Sequence, residues 1–187
     1  MARFDMDNDK CCCFTGHRPQ KLPWGFDEDD PRCSELKCRI KAAIRLAVSH
    51  GKTMFLTGMA MSTDMWCAEA VLEIKQEMPG REIKLAAVIP HAGQEQQYPD
   101  NLKERYGMIL SSADECIALQ DHYTEGCMQR RNRYLVEHSS MLIAVYSGGS
   151  GGTKYTFDYA NRLKHKIIWI DPITGRTKIN FNYKEQS

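Results

Sequence analysis

A glycine-rich segment at 147–153 constrains the fold of this chain more than any other stretch. It follows an apolar run at 141–145 and precedes an amphipathic helical pattern, so it joins a strand to a helix. Glycines let the backbone take positive φ angles and approach a ligand closely, and the helix start offers free N–H groups. The segment therefore predicts a site for phosphate or another anion, although a tight turn alone also explains its glycines. Its candidate ligand-binding residues are Gly148, Gly149, Ser150, Gly151, Gly152 and Thr153.

Short apolar runs alternate with helical patterns along the whole chain. We predict strands at 10–15, 53–57, 83–89, 115–119, 141–146 and 167–170. We predict helices at 34–49, 62–78, 99–111, 126–139 and 153–164, the first of them capped by Ser34. Because the strands are continuous apolar runs, both faces of the sheet should be covered. The pattern predicts an α/β protein with a Rossmann-like parallel sheet and helices on both faces, followed from Asp171 by a turn and a polar tail.

Length and charge limit the classes to which the chain can belong. Its 187 residues, 42% of them hydrophobic, predict a single domain over 1–187 with a core at about 10–171. The 25 basic residues nearly balance the 24 acidic ones, which disfavours nucleic acid as a partner. No apolar stretch approaches the roughly 20 residues of a membrane span, and residues 1–10 lack the apolar core of a signal peptide. We therefore expect a cytoplasmic protein without a membrane partner.

Eight cysteines raise the question of disulfides or a metal site. Three of them, at 11–13, lie inside the first predicted strand, where consecutive side chains point to opposite faces. In a reducing compartment we expect these three to be reduced and at least two of them to be buried as small apolar residues. Cys33 and Cys38 lack the spacing of a zinc site and have no matching second pair, so we predict no metal site.

Glycines and polar residues gather where the predicted strands end. After the first two strands, the candidate ligand-binding residues are Gly16, His17, Arg18, Gly58, Met59 and Asp64. Ligands of open α/β sheets lie at the carboxyl ends of the strands, so these residues and the glycine-rich segment should share one pocket. Structural alternatives remain open: His17 and Arg18 could simply hydrogen-bond the following loop. Asp64 lies at a helix start, where the helix dipole stabilises a carboxylate without any ligand.

Arg131 is a further candidate, for ligand binding and for catalysis. It shares a helical stripe with Met128 and Leu135, at spacings of three and four residues, and this stripe should face the sheet. Arginine is rarely buried without an anion or a carboxylate as its partner. The alternative is an aliphatic stem that carries the guanidinium outward to solvent.

Three segments, read in order, carry a family resemblance. Residues 15–19, the segment 57–60 with Asp64, and the loop 148–153 resemble the YpsA/YoqJ-like proteins of the SLOG superfamily. The resemblance covers about residues 10–171. It implies a Rossmann-like sheet and the binding of a nucleotide or nucleotide-derived ligand at the strand ends. The superfamily also includes the Lonely Guy phosphoribohydrolases and DNA-processing protein A.

The Lonely Guy enzymes allow a finer comparison. The segment 128–132 is similar to their Met-His-x-Arg-Lys motif and matches Arg131 to their catalytic arginine, and 138–139 matches their His-Ser pair. The glycine-rich segment resembles theirs but is longer by two residues. At the position of their catalytic glutamate this chain has Thr156, and Asp158 lies two positions later on a different helix face. Cleavage of an N-glycosidic bond needs a group that stabilises the ribosyl cation or activates water, and threonine cannot replace a carboxylate there.

The leading hypothesis is a nucleotide-binding protein with a sensor or regulatory role. The amides of the glycine-rich loop and the Thr153 hydroxyl would hold phosphate, Arg131 and Arg18 would supply charge, and Asp64 would accept hydrogen bonds from ribose hydroxyls. The resemblance implies a nucleoside monophosphate, ADP-ribose or an NAD-derived compound as the ligand, and no other cofactor is required.

Two other functions remain open at this stage. The first is a nucleotide N-glycosidase that uses Asp158, Asp64 or Asp121 in place of the missing glutamate. The second is single-stranded DNA binding, as in the DNA-processing branch, which the balanced charge disfavours. Related Rossmann-like proteins often form homodimers, so a second copy of the chain is a further possible partner.

Overall fold

The computed structural model describes residues 7–181 and contains one seven-stranded sheet within them. The strands are β1 (Cys11–Gly16), β2 (Met54–Thr57), β3 (Lys84–Ile89), β4 (Glu115–Ala118), β5 (Met141–Val145), β6 (Lys166–Ile170) and β7 (Thr177–Asn180). The helices are α1 (Pro31–Ser49), α2 (Thr63–Glu77), α3 (Asp100–Ser112), α4 (Cys127–Glu137) and α5 (Gly152–Arg162). All adjacent strand pairs are parallel except β6 and β7, which confirms the predicted α/β Rossmann-like class.

Helices cover both faces of the sheet, because successive strand residues point to opposite sides. In β1, Cys12 and Phe14 join the core beneath α1, α2 and α3, whereas Cys11 and Cys13 join the core beneath α4 and α5. All three consecutive cysteines are buried, as the sequence predicts. Burial on both faces explains why these strands are apolar without alternation.

The strand order, β4-β3-β2-β1-β5-β6-β7, positions the site. From β1 the chain builds outward through β2, β3 and β4 on one side, and it then crosses to β5 on the other side of β1. The connections after β1 and β5 therefore leave the sheet toward opposite faces. A crevice opens between them at the carboxyl ends of these strands, which is where ligands of such folds bind.

The largest difference from the predicted helix boundaries is the start of the first helix, three residues earlier than predicted. Helix α1 begins at Pro31, and Asp30 rather than Ser34 is its N-cap, since an Asp30 carboxylate oxygen accepts from the Arg32 amide at 2.8 Å. Proline at the first helical position needs no amide partner there and has its φ preset for the helix, so the helix starts one turn earlier. The prediction missed this start because the preceding segment is rich in charges and proline.

The prediction of only a turn and a polar tail after Asp171 is wrong for the described residues. Asp171 accepts hydrogen bonds from the Ile173 amide at 2.9 Å and the Thr174 hydroxyl at 2.7 Å. This turn reverses the chain into β7, where Ile179 pairs with Ile168 in antiparallel register. Every residue of β7 is exposed, so the strand lacks the apolar run by which the others are recognised. Residues 182–187 of the predicted tail lie outside the described part of the chain.

Among residues 7–181, no helix combines the length and the apolar composition that crossing a bilayer requires.

The burial of the cysteines gives a direct test of the fold. Cys38 and Cys116 are exposed, whereas six others are buried: Cys11, Cys12, Cys13, Cys33, Cys67 and Cys127. Burial raises the pKa of the Cys11 thiol to about 11 and that of the Cys13 thiol to about 12, which suppresses the reactive thiolate. We predict that a brief exposure of the native protein to iodoacetamide modifies only Cys38 and Cys116, as read by peptide mass spectrometry. Modification of Cys11, Cys12 and Cys13 at the rate seen in denatured protein would contradict this fold.

Candidate ligand-binding cleft

A cleft of about 360 Å³ opens at the carboxyl end of β1, between the first turns of α2, α4 and α5. Its lining consists of Phe14, Thr15, Gly16, Arg18, Gln20, Lys21, Ala60, Asp64, Met128, Gln129, Arg131, Asn132, Gly152 and Thr153. The volume lies within the range of small-ligand sites. The cleft brings together the loops after β1 and β2, the first turns of α4 and the start of α5. Of the predicted residues, Gly16, Arg18, Asp64, Arg131, Gly152 and Thr153 meet here.

The three helices that start at the cleft have no side-chain cap. Their N-cap residues are Ser62 for α2, Gly126 for α4 and Gly151 for α5, and none of these side chains accepts a hydrogen bond from the helix. At α2, the Asp64 carboxylate faces the preceding loop and accepts from the Ala60 amide at 3.3 Å. At α5, no acidic residue lies in the first turn. The free amides and the positive dipole end of α5 therefore face the cleft and favour an anion.

Cations add to this potential. Arg18 is exposed at the cleft, and its guanidinium has no hydrogen bond or ion pair within residues 7–181. Lys21 lies beside the glycine-rich loop, where its ammonium donates to the Ser150 carbonyl at 2.5 Å. Together with Arg131 these cations face Asp64, which is the only carboxylate among the lining residues, so the lining carries a net charge of +2. The charge of the site is local, since the whole chain is nearly neutral.

Arg131 lies inside the protein, with only 3% of its surface exposed. One terminal nitrogen, Nη1, donates to the Gly58 carbonyl and lies 3.9 Å from a carboxylate oxygen of Asp64. The Nε nitrogen donates to the Asn132 side-chain oxygen at 2.8 Å. The outward-pointing alternative for Arg131 is therefore excluded, and its carboxylate partner is Asp64. Burial raises the pKa of the Asp64 carboxyl and lowers that of the Arg131 guanidinium.

The predicted glycines serve two different purposes. A Cβ on Gly16 would overlap the side chain of Thr63, and a Cβ on Gly58 would overlap the guanidinium of Arg131. These two glycines permit close packing inside the protein. Gly148 and Gly149 instead have φ angles of 103° and 84°, with open space where a side chain would lie. Such backbone angles favour glycine, so these residues shape the loop.

Two predicted site residues form internal supports. His17 is buried, and its Nε2 accepts from the Ser147 amide at 3.1 Å, which ties the loop after β1 to the loop after β5. Burial lowers the pKa of His17, consistent with a neutral ring that accepts this hydrogen bond. Met59 is also buried, and its carbonyl accepts from the Gln94 side-chain nitrogen at 2.6 Å. His17 and Met59 thus position the walls of the cleft and are absent from its lining.

The Thr153 hydroxyl has a hydrogen-bond partner within the protein. It donates to the Gly16 carbonyl at 3.0 Å, so its hydrogen is used within the protein. This bond fixes the start of α5 against the end of β1. The contribution of Thr153 to an anion site is therefore its backbone amide, in the uncapped first turn.

Two catalytic candidates lie away from the cleft. Asp158 is on an exposed face of α5, where its carboxylate pairs with Lys154. Asp121 is exposed in the loop after β4 and is absent from the lining. Thr156, at the position of the Lonely Guy glutamate, is buried, and its hydroxyl donates to the Gly152 carbonyl at 2.8 Å. Asp64 is thus the remaining acidic candidate at the site.

The His-Ser pair also lies apart from the cleft. His138 and Ser139 follow the C-terminus of α4, whereas the cleft lies at the opposite end of this helix. The Ser139 hydroxyl contacts the Cys13 thiol at 3.1 Å and belongs to the core. The structure gives this pair a packing role.

Sequence reasoning did not include five polar lining residues among its site candidates: Thr15, Gln20, Lys21, Gln129 and Asn132. Helical spacing could have identified Gln129 and Asn132. Residues 128–132 form the first turns of α4, and Asn132 follows Gln129 by three residues, so the two share a face with each other. Gln20 and Lys21 lie in a single turn of 3₁₀-helix, Pro19–Lys21, which is too short for sequence periodicity to indicate where its side chains point.

Gly16 offers a test of the close packing that forms the cleft. We predict that Gly16→Ala lowers the free energy of unfolding by about 1–3 kcal/mol, because the new methyl group overlaps the buried Thr63 side chain. Gly80→Ala is the matched control, since a Cβ on Gly80 meets no atom within 4 Å. Urea denaturation of both variants and the parent measures the difference. Equal stability of Gly16→Ala and the parent would show that the contact between the β1 end and α2 is not tightly packed.

Proteins of known family share this sequence pattern and this fold. Residues 12–173 match the model of the YspA SLOG family, in agreement with the predicted resemblance. A UPF0398 protein from Bacillus pumilus is 27% identical over 165 residues, which cover 86% of this chain and 87% of the relative.

Solved structures of DNA processing protein A have a similar fold. The protein from Streptococcus pneumoniae has a TM-score of 0.57 and 15% identity, over 87% of this chain and 50% of that one. The protein from Helicobacter pylori, which binds single-stranded DNA, has a TM-score of 0.57 and 14% identity, over 88% of this chain and 66% of that one. The present chain therefore spans about half to two thirds of these proteins.

Proposed function

This chain belongs to the YspA SLOG family, and on that premise we propose that its cleft binds a nucleotide or nucleotide-derived ligand in a sensor or regulatory role. One observation carries the proposal: the uncapped start of α5 lines the same cleft as the guanidinium of Arg18, which has no partner within residues 7–181. Free amides, a helix dipole and an exposed cation at one place match the needs of a phosphate group.

The phosphate of the ligand lies at the first turn of α5 in this proposal. The amides of Gly152 and Thr153 are free of side-chain caps, and the glycine-rich loop before them lets a phosphate approach the backbone. Lys21, which already contacts this loop, and Arg18 supply the countercharge. A net charge of +2 in the lining fits a ligand that carries negative charge.

The sugar of the ligand lies deeper, at Asp64, in this proposal. Asp64 is 94% buried at the cleft, where it accepts backbone hydrogen bonds from the loop after β2, among them that of the Ala60 amide. A carboxylate has roughly four lone-pair sites, so further donors can be accommodated. Ribose hydroxyls are such donors. The nearby Arg131 offsets part of the cost of keeping this carboxylate charged within the protein.

The N-glycosidase alternative rests on Asp64 alone. Asp158 and Asp121 lie away from the cleft, and the Thr156 hydroxyl is bonded within α5. Asp64 is engaged with its own loop and lies near Arg131, so it has the partners of a binding residue. These contacts favour binding over hydrolysis.

Single-stranded DNA binding is favoured less. The likeness to DNA processing protein A extends to the fold alone at 14–15% identity. A long polyanion requires a continuous positive surface, whereas the whole chain carries a formal charge of only +1. The positive charge of the cleft suits a small ligand.

A thermal-shift experiment tests the proposed function. We predict that adenosine monophosphate, ADP-ribose or NAD raises the unfolding temperature of the parent protein, with about 2.7 kcal/mol of stabilisation at a hundredfold excess over the Kd. Arg18→Ala should weaken the affinity by about tenfold or more, because it removes the charged donor that would hydrogen-bond the phosphate of the ligand. Arg81→Ala is the control, since this exposed arginine lies just before the amino end of β3, whereas the cleft lies at the carboxyl ends of the strands.

The outcomes separate the candidate ligands. Equal loss of affinity in Arg18→Ala and Arg81→Ala would mean that the affinity depends on the overall charge of the protein rather than on contacts in this cleft. Stabilisation by a single-stranded oligonucleotide but by none of the small ligands would favour DNA binding instead. Arg131→Ala is unsuited to this test, because it leaves the buried Asp64 without its partner, at a cost of about 3–5 kcal/mol.

A chromatographic assay tests the absence of hydrolysis. We predict that purified protein releases no free base from adenosine monophosphate, because no carboxylate occupies the position of the Lonely Guy glutamate. Asp64→Asn and Asp158→Asn are to be assayed beside the parent. Base release that Asp64→Asn abolishes and Asp158→Asn retains would support the N-glycosidase with Asp64 as its carboxylate.

A further inference from the structure

We propose that Asn132 contacts the ligand and makes the cleft selective for phosphate over carboxylate, with Arg131 as its positioning residue. The inference rests on the proposed function and adds to it a contact residue and a physical basis for selectivity. It depends on the orientation of one side-chain amide, which the neighbouring contacts fix.

Arg131 determines how the Asn132 amide is turned. The Nε nitrogen of Arg131 is only a donor, and it lies 2.8 Å from the Asn132 side chain, so the amide oxygen must face it. The amide nitrogen, Nδ2, is then directed away from Arg131. Within residues 7–181, no acceptor takes a hydrogen bond from Nδ2. Asn132 therefore presents two unused N–H groups in a fixed direction.

These N–H groups face the start of α5. A Cβ placed on Gly152 would lie 3.6 Å from Asn132 Nδ2, and a Cβ placed on Gly151 would lie 3.0 Å from Lys21 Nζ. The Asn132 amide therefore lies beside Gly152, and the Lys21 ammonium lies beside the preceding residue, Gly151. Asn132 is partly buried and lines the cleft, so a ligand at this turn can reach it.

Arg131 also has an unused donor at the cleft. Its Nε donates to Asn132 and its Nη1 donates to Gly58, but Nη2 has no acceptor within the described residues. Nη2 retains some solvent-accessible surface, since among the described residues it is not one of the fully buried nitrogens without a partner. The buried side chain of Arg131 therefore keeps one nitrogen accessible at the cleft that it lines.

The number and direction of these donors identify the class of anion. Donors come from the backbone at Gly152, from Lys21 and Arg18 on the loop after β1, and from Asn132 and Arg131 on α4. A carboxylate presents its roughly four acceptor sites in one plane, which fits poorly to donors from three sides. Inorganic phosphate or a phosphate monoester presents three or more unesterified oxygens in a tetrahedral arrangement, which matches this set better.

Inorganic phosphate is the probe for this inference, with acetate as the carboxylate comparison. We expect phosphate to stabilise the parent protein in thermal-shift titrations and acetate at equal ionic strength to have no effect. Asn132→Asp keeps an oxygen for Arg131 but replaces the free N–H groups with a negative oxygen. It should weaken phosphate binding by more than about tenfold. Asn132→Ala, which adds no charge, should weaken it by about tenfold.

Asn161→Asp is the matched control, because it makes the same change in charge at an exposed position of α5 outside the cleft. Its phosphate affinity should equal that of the parent. Unfolding temperatures without phosphate show whether each variant is folded, and Asn132→Ala replaces Asn132→Asp if the latter is not.

Each further outcome has a defined meaning. Parent-like phosphate affinity in both Asn132 variants would overturn this inference and leave the proposed function intact, as would equal stabilisation by acetate and phosphate. An equal loss in Asn161→Asp and Asn132→Asp would overturn it as well, since the effect would then be general electrostatics. A parent that binds neither phosphate nor any nucleotide would overturn the proposed function itself.

Discussion

The site depends on the buried contact of Arg131 with the loop after β2. A guanidinium within a protein must be neutralised and hydrogen-bonded, and here the Gly58 carbonyl, Asn132 and Asp64 share that task. These contacts join α4 to the end of β2 and to the start of α2. The cleft therefore has walls whose relative positions are fixed by charge as well as by apolar packing.

Glycines serve two purposes around this cleft: some leave room for a neighbouring side chain, and others take backbone angles that favour glycine. Gly16 and Gly58 lack a side chain because Thr63 and Arg131 occupy the space, so these glycines allow the strand ends to meet the helices. The loop before α5 uses glycine for its backbone angles instead, and its side-chain space is open at Gly148 and Gly149. An open loop can admit a ligand, whereas the packed strand ends hold the frame around it.

The sequence predicts the layers of the fold well, because burial on both faces gives β1, β3 and β5 an unmistakable apolar pattern. It fails for β7, whose pairing depends on the β6 edge and whose residues are all exposed. At the site, strand order indicates which loops meet. It does not indicate that the Thr153 hydroxyl turns inward to Gly16, since that direction is decided by contacts between segments 137 residues apart.

The preference for a binding role over a catalytic one rests on the partners that the hydroxyl and carboxylate groups near the cleft already have. Catalysis at an N-glycosidic bond requires a carboxylate free to change its charge or to approach the reacting carbon. Here Asp158 is bound to Lys154 on the surface, and the Thr156 hydroxyl is bound within its helix. Asp64 remains, and its position beside Arg131 and the Ala60 amide suits a fixed acceptor. Donors from α4, α5 and the β1 loop line the cleft together with one held acceptor. This arrangement meets the needs of the proposed binding role, which does not require the ligand to react.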